Sequence, residues 1–162
     1  MLMKTFIQVS AILAVLALSS AVSAVSADKT FYWDDYNIQI TVPDDFKIVE
    51  DTPTEFEMKG DGMELAMSIF NDKNVGIADM DEATVAAAKE MKLQQIDEEE
   101  AFKNADFEGY YVEGYKDGSR VMFAGVIDTA SRTNFFIVII FDDKDKEAEK
   151  EALNILSSID HK

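Results

Sequence analysis

An α+β fold, an antiparallel sheet of about seven strands with helices covering both faces, is what this sequence predicts, on three observations. The first is the run Asn134–Asp142, seven consecutive large apolar residues, most of them β-branched or aromatic, which fits a buried strand better than a helix face. Its odd positions (Phe135, Ile137, Ile139, Phe141) and even positions (Phe136, Val138, Ile140) point to opposite faces, and both sets are apolar. Such a strand belongs mid-sheet with cover above and below, so aspartate at either Ile139 or Ile140 is expected to bury an uncompensated charge. The second observation is a series of strand patterns joined by hairpin signals. The third is a pair of amphipathic helical stretches.

Taken in order, Phe31–Trp33 and Tyr36–Val42 read as the opening strands, with Ile38, Ile40 and Val42 alternating against Asn37, Gln39 and Thr41. Pro43 cannot donate to a ladder and ends the second one, with Asp44-Asp45 in the turn. Phe46–Val49 is a short strand and Asp51–Pro53 a loop. Thr54–Lys59, with Phe56 and Met58 inward, and Met63–Phe70, with Leu65, Met67 and Ile69 inward, form a hairpin through Gly60-Asp61-Gly62. After a polar loop, Asp79 reads as an N-cap with Glu82 completing a capping box. The helix it opens runs to about Gln95, with Met80, Thr84, Ala87, Ala88 and Met91 on one stripe. Asp97–Glu100 reads as a solvated loop. Asp106–Tyr115 and Ser119–Asp128 are strands joined through Lys116-Asp117-Gly118, and Asp128–Thr133 turns into the central run. Lys144–Ile159 closes the pattern as a helix with Ala148, Ala152, Ile155, Leu156 and Ile159 on one face.

Residues 1–27 read as a signal peptide rather than as part of the fold. Lys4 supplies the positive start, Ile7–Leu18 the apolar stretch and Ser19–Ala27 a run of small residues with two Val-Ser-Ala sites, cleavage being expected after Ala27. The apolar stretch falls short of the roughly 20 residues that span a bilayer. Residues 28–162 then make one α+β domain, periplasmic or secreted, with no further segment that would insert in a membrane. The sequence has no Cys, which excludes both a disulfide framework and a thioether-linked lipid anchor. Its net charge is −17, and Lys4 is the leader's only charged residue. That balance excludes nucleic acid and anionic lipid as partners, since both are bound by cationic surfaces.

The order of elements resembles the PsbP/Mog1-like fold. The residues that carry the resemblance are Tyr36–Pro43 followed by a bulky Phe46, and the closing Ile155–Ile159 with its Ile-Leu-Ser-Ser-Ile pattern. It spans residues 28–162 as a pattern of hydrophobicity. Proteins similar to this fold include photosystem accessory subunits, a Ran-binding nuclear factor, bacterial envelope proteins and immunity proteins against secreted toxins. The resemblance implies a non-catalytic binding or accessory protein, immunity-like or an assembly factor of the cell envelope, with a protein partner and no cofactor.

Tests for chemistry point the same way. There is no Cys, no Gly-x-Ser-x-Gly and a single histidine, the penultimate His161, which reads as a frayed tail residue. Imidazole–thiolate metal sites lack ligands, and no glycine-rich loop is followed by Lys-Ser or Lys-Thr. Carboxylates are abundant, so a hydrolase using paired acids is the alternative from another class. A calcium-dependent module is the third reading, with Asp142, Asp143 and Asp145 as candidate ligands. That segment departs from an EF-hand, having Ala148 where glycine is needed and Asn154 where glutamate is needed, and helix capping accounts for the acids. For a binder, the candidate anchors are Trp33, Tyr36, Tyr111 and Tyr115, because rigid amphipathic rings concentrate binding energy.

Overall fold

A computed structural model describes residues 27–70 and 75–162. The expected signal peptide therefore lies, but for Ala27, outside the described residues. The strands are β1 (Asp28–Trp33), β2 (Ile38–Pro43), β3 (Lys47–Asp51), β4 (Glu55–Lys59), β5 (Met63–Ile69), β6 (Glu100–Lys103), β7 (Phe107–Lys116), β8 (Ser119–Asp128), β9 (Asn134–Phe141) and β10 (Asp160–His161). The helices are α1 (Met80–Glu90) and α2 (Lys146–Ser157). Seven strands form one antiparallel sheet in the order β3-β4-β5-β9-β8-β7-β6, with the apolar run β9 at its centre. The fold class is as expected, with one addition. β1 and β2 leave the main sheet and form a second sheet, β1-β2-β10, completed by the last residues of the chain.

That small sheet and α2 together close one face of the main sheet. Phe31, Trp33, Ile38, Ile40 and Val42 from the small sheet, and Ala148, Ala152, Ile155 and Leu156 from α2, pack on Phe56, Met58, Leu65, Met67, Phe135, Ile137 and Ile139. All of these side chains are buried. The alternation read in β2, β4 and β5 is what aims them inward. Ile159, just past the end of α2, joins the same core.

The opposite face is built differently. α1 packs on β7 and β8, with Met80, Thr84 and Ala88 buried. Gly125 of β8 makes the close approach possible, since a Cβ there would stand 2.3 Å from Thr84 Oγ1 and 2.9 Å from Met80 Sδ. The small residue that admits the helix is thus on the strand. β9 presents Phe136, Val138 and Ile140 on this side, and all three are only partly buried. Cover on the second face is therefore partial, and Ile140 is not the counterpart of the fully buried Ile139.

Local readings differ from the structure in three places. α1 stops at Glu90 rather than near Gln95, because Lys92 adopts a left-handed backbone (φ 64°) and the chain turns into Gln94, which bridges to Tyr115. Asp79 occupies the position before α1, but its carboxylate accepts from Gly76 N–H (3.4 Å) and not from the helix. The acidic run read as a loop ends in β6, an edge strand with one buried residue, Phe102. The Asp117-Gly118 turn is as read: both residues take positive φ (52° and 87°), and Lys116 pairs with Ser119 across it.

Candidate functional site

The four aromatic candidates do not form one patch. Trp33 lies wholly inside the core, its ring 4.8 Å edge-on from Tyr36 and 5.9 Å from a stacked Phe56. Its indole N–H donates to Thr52 O at 2.9 Å, which satisfies the polar end of a buried indole. Trp33 therefore offers nothing to a partner, because the hairpin carrying it folds over the main sheet instead of standing at its edge. Tyr36 leans on this cluster half-buried, with its hydroxyl donating to Pro53 O. Tyr111 and Tyr115 do share a face of β7, four strands from β4 in the sheet, or ~19 Å at a spacing of ~4.8 Å per strand. Tyr111 packs against the principal core and donates to Glu100 Oε2 at 2.6 Å. Burial first, and then neighbouring Glu100, Glu113 and Glu149, push its hydroxyl pKa above the ordinary range. Tyr115 donates to Asp143 Oδ1 at 2.9 Å and lies beneath the Arg120 guanidinium.

The titratable groups nearby form structural pairs. Glu113 is buried, and its pKa is raised by that burial against the opposing pull of Arg120. Arg120 Nε–H donates to Glu113 Oε2 (2.7 Å) and its terminal nitrogen to Asp97 Oδ2 (2.8 Å). A carboxylate held by an arginine in this way locks β7 to β8 and lacks the freedom of a general acid.

His161 is not frayed. It pairs with Ile38 in β10, its Nε2 lies 3.1 Å from Asp128 Oδ2, and its ring meets Phe107 edge-on at 5.0 Å. Burial alone would raise the pKa of Asp128. Hydrogen bonds from the Ser131 hydroxyl, from Ala130 N–H and Ser131 N–H, and from His161 more than offset that and hold it below the usual carboxylate range. Ser131, Asp128 and His161 have the residue types of a hydrolytic triad in the wrong order. The serine hydroxyl donates to the aspartate (2.6 Å) rather than to the imidazole, so no base faces the would-be nucleophile.

The three calcium candidates serve three separate local tasks. Asp142 Oδ1 accepts from Lys144 N–H and Asp145 Oδ1 caps α2 at Glu147 N–H, each at 3.0 Å, while Asp143 holds Tyr115. Asp142 and Asp145 also line a cleft of about 290 Å³ with Asp61 and Glu151. Another acidic group, Glu50, Glu55 and Glu57, has carboxylates within 4.8 Å of one another at the β3 side of the main sheet. Sequence reading passed over these three, although the Glu-Phe-Glu-Met alternation of β4 already places Glu55 and Glu57 together on its outer face.

The remaining feature is the half of the sheet that α1 leaves without a covering helix among the described residues, Phe136 alone being capped by the stacked ring of Phe70 at 4.2 Å. On the α1 side, Glu55, Glu57 and Lys59 of β4, Glu64, Ala66 and Ser68 of β5, and Phe136, Val138 and Ile140 of β9 are all partly or fully exposed. Directly behind them the inward residues of the same strands, from Phe56 to Phe141, are buried save Ile69. The register sets these outer residues in rows. One runs Phe123–Val138–Ala66–Glu57–Glu50, from apolar ground beside α1 to acids at the sheet edge. Lys59, Glu64 and Ile140 end the neighbouring row in a cleft of about 490 Å³ with Gly118, Ser119 and Lys144.

No family model and no curated protein matches the chain. Solved structures do match its fold. Saccharomyces cerevisiae Mog1p, a Ran-binding protein, aligns over 84% of this chain and 96% of its own, with a TM-score of 0.56 and 11% identity. The fold is Mog1/PsbP-like. A Bacteroides thetaiotaomicron protein aligns over 83% of this chain at a TM-score of 0.50 and 14% identity, and the chain spans about half of that protein's length (48%). Mycobacterium tuberculosis LpqN, involved in cell envelope biogenesis, aligns over 82% of this chain and 89% of its own, at a TM-score of 0.47 and 16% identity. On the Mog1/PsbP-like framework, the half-open main sheet of this chain presents partly exposed apolar residues beside acidic ones among the described residues. No helix among the described residues is long and apolar enough to cross a membrane.

Proposed function

We propose that this protein is an exported, non-catalytic binding protein that docks a protein partner on the half of the main sheet left open beside α1. The observation that carries the reading is the contrast between the two faces of β4, β5 and β9: one is buried almost throughout and the other leaves apolar Ala66, Val138 and Ile140 partly exposed beside acids. A folded domain seldom leaves such a face without a use. The flanking carboxylates fit a partner with basic and apolar residues rather than nucleic acid or an anionic membrane. The likeness to a Ran-binding protein supports a protein partner at the level of fold.

A photo-crosslinking amino acid placed at Val138 tests this in the expressing cell, with Lys150 on the exposed side of α2 as control. One discrete product from Val138, absent from Lys150 and lost in a folded Ile140→Asp background, is the expected result. No product, or the same products from both positions, would overturn the docking face.

Export rests on the features of residues 1–27. N-terminal sequencing of protein recovered outside the cytoplasm is expected to begin at Asp28, or at Val25 if the earlier site is cut. An intact Met1 in the membrane fraction would mean that the segment is an anchor.

A further inference from the structure

We propose that the free edge of β3 accepts an extended segment of the partner as an eighth strand of the main sheet, and that this segment alternates basic with apolar residues. The inference rests on the docking reading above and specifies its chemistry.

β3 ends the strand order, so on the side away from β4 its alternate N–H and C=O groups meet no other strand among the described residues. All five of its residues are exposed. Ile48 (44% exposed) and Val49 (64%) are two of the four large apolar residues at the surface of the described chain, and they are adjacent on this edge. The register slips between Ile48 and Glu50, so Val49 is the extra residue of a bulge. A bulge shortens the run that an incoming strand can pair with, and it guards against open-ended stacking of copies.

The two faces of the edge say what the incoming strand carries. Glu50 lies directly opposite Glu57, with Glu55 beside it, and no ion pair is formed by any of the three among the described residues. Like charges opposed across a ladder destabilise it. A lysine or arginine on an added strand, opposite Glu50, extends the row that runs from Val138 through Ala66 and Glu57, and relieves that repulsion. Ile48 lies on the other face, beside the inward Met58, and takes an apolar neighbour. A second copy of this chain is the wrong occupant. It would bring six carboxylates to one edge between two molecules each at −17. Main-chain pairing supplies affinity in such a complex, and the alternate side chains supply selectivity.

The probe is an eight-residue peptide of alternating valine and lysine, titrated into the folded chain and followed by amide chemical shifts. Four comparison peptides are used: valine alternating with glutamate, a scramble of the same composition as the Val/Lys peptide, and two Val/Lys peptides N-methylated on the residues of one hydrogen-bonding edge or of the other. The expected result is a saturable shift centred on Lys47–Asp51. Affinity should fall at least tenfold with Glu50→Lys/Glu57→Lys and with one of the two methylated peptides, and the scramble and Val/Glu peptides should not bind there. Equal affinity for both methylated peptides and the parent would show attraction to net charge alone and overturn the proposal, as would shifts that map elsewhere or no binding. Failure here with a discrete crosslink from Val138 would remove the edge mode and leave the docking face standing. Binding at β3 without that crosslink would do the reverse.

Discussion

Aspartate at Ile139 unfolds this protein, and aspartate at Ile140 does not. Ile139 is fully buried between β5 and β8, in the core that α2 and the small sheet close. A carboxylate there has neither water nor a cation, and breaking a core in this way costs several kcal/mol against a total stability of about 5–15. Ile140, one residue on, faces the partly open side and lines the cleft with Lys59 and Lys144. An aspartate there reaches solvent and basic side chains, so its cost should stay near 1 kcal/mol, typical of a partly exposed site. Denaturant unfolding of the two variants reads the difference directly. Equal, severe loss in both would show that the second face is covered in solution and would remove the docking surface with it.

Trp33→Ala comes next in size. The indole fills the space between Tyr36 and Phe56 and bridges β1 to the loop before β4 through Thr52. Truncating a buried tryptophan costs about 3–5 kcal/mol, part of it for the cavity that remains. Tyr36→Ala, at the rim of the same cluster, should cost clearly less because its ring is already half in water. Any loss of partner binding by Trp33→Ala should then track its unfolded fraction. Weakened binding at an unchanged melting temperature would return Trp33 to the surface and contradict the packing described for β1.

Much of this fold was legible because its strands obey simple alternation. Ile38, Ile40 and Val42, then Phe56 and Met58, then Leu65 and Met67, each set points to one core. What alternation does not report is which sheet a strand joins. β1 and β2 have the same pattern that a main-sheet hairpin would have, and the pairing of β2 with residues 160–161 rather than with a main-sheet strand is not written in it. β6 escaped notice because Phe102 is its one inward apolar residue, too little for a periodic signal. The site was less legible for a related reason. Phe136, Val138 and Ile140 look like core residues in a sequence, and the extent of their cover depends on where α1 comes to rest. That position is set by Gly125 meeting Thr84, a contact between residues 41 apart in the chain. The aromatic candidates failed as a patch because ring type says nothing about burial. The acidic alternation of β4 was visible, but its neighbour across the ladder, Glu50, was not.

The small sheet also sets the timing of folding. Thr41 N–H bonds the Ser158 hydroxyl at a separation of 117 residues, and Lys162 N–H bonds Asn37 O. These contacts cannot form while the chain is still emerging. At about 5–20 residues per second, the interval between synthesis of β2 and of its last partner is roughly 6–24 s. Throughout it Phe31, Trp33, Ile38, Ile40 and Val42 lack part of the core that will bury them. Contacts so distant in sequence also make closure slow once synthesis ends. Under the export proposed above this delay would be useful, because a translocation channel would meet an open polypeptide whose last strand has yet to lock the first two in place.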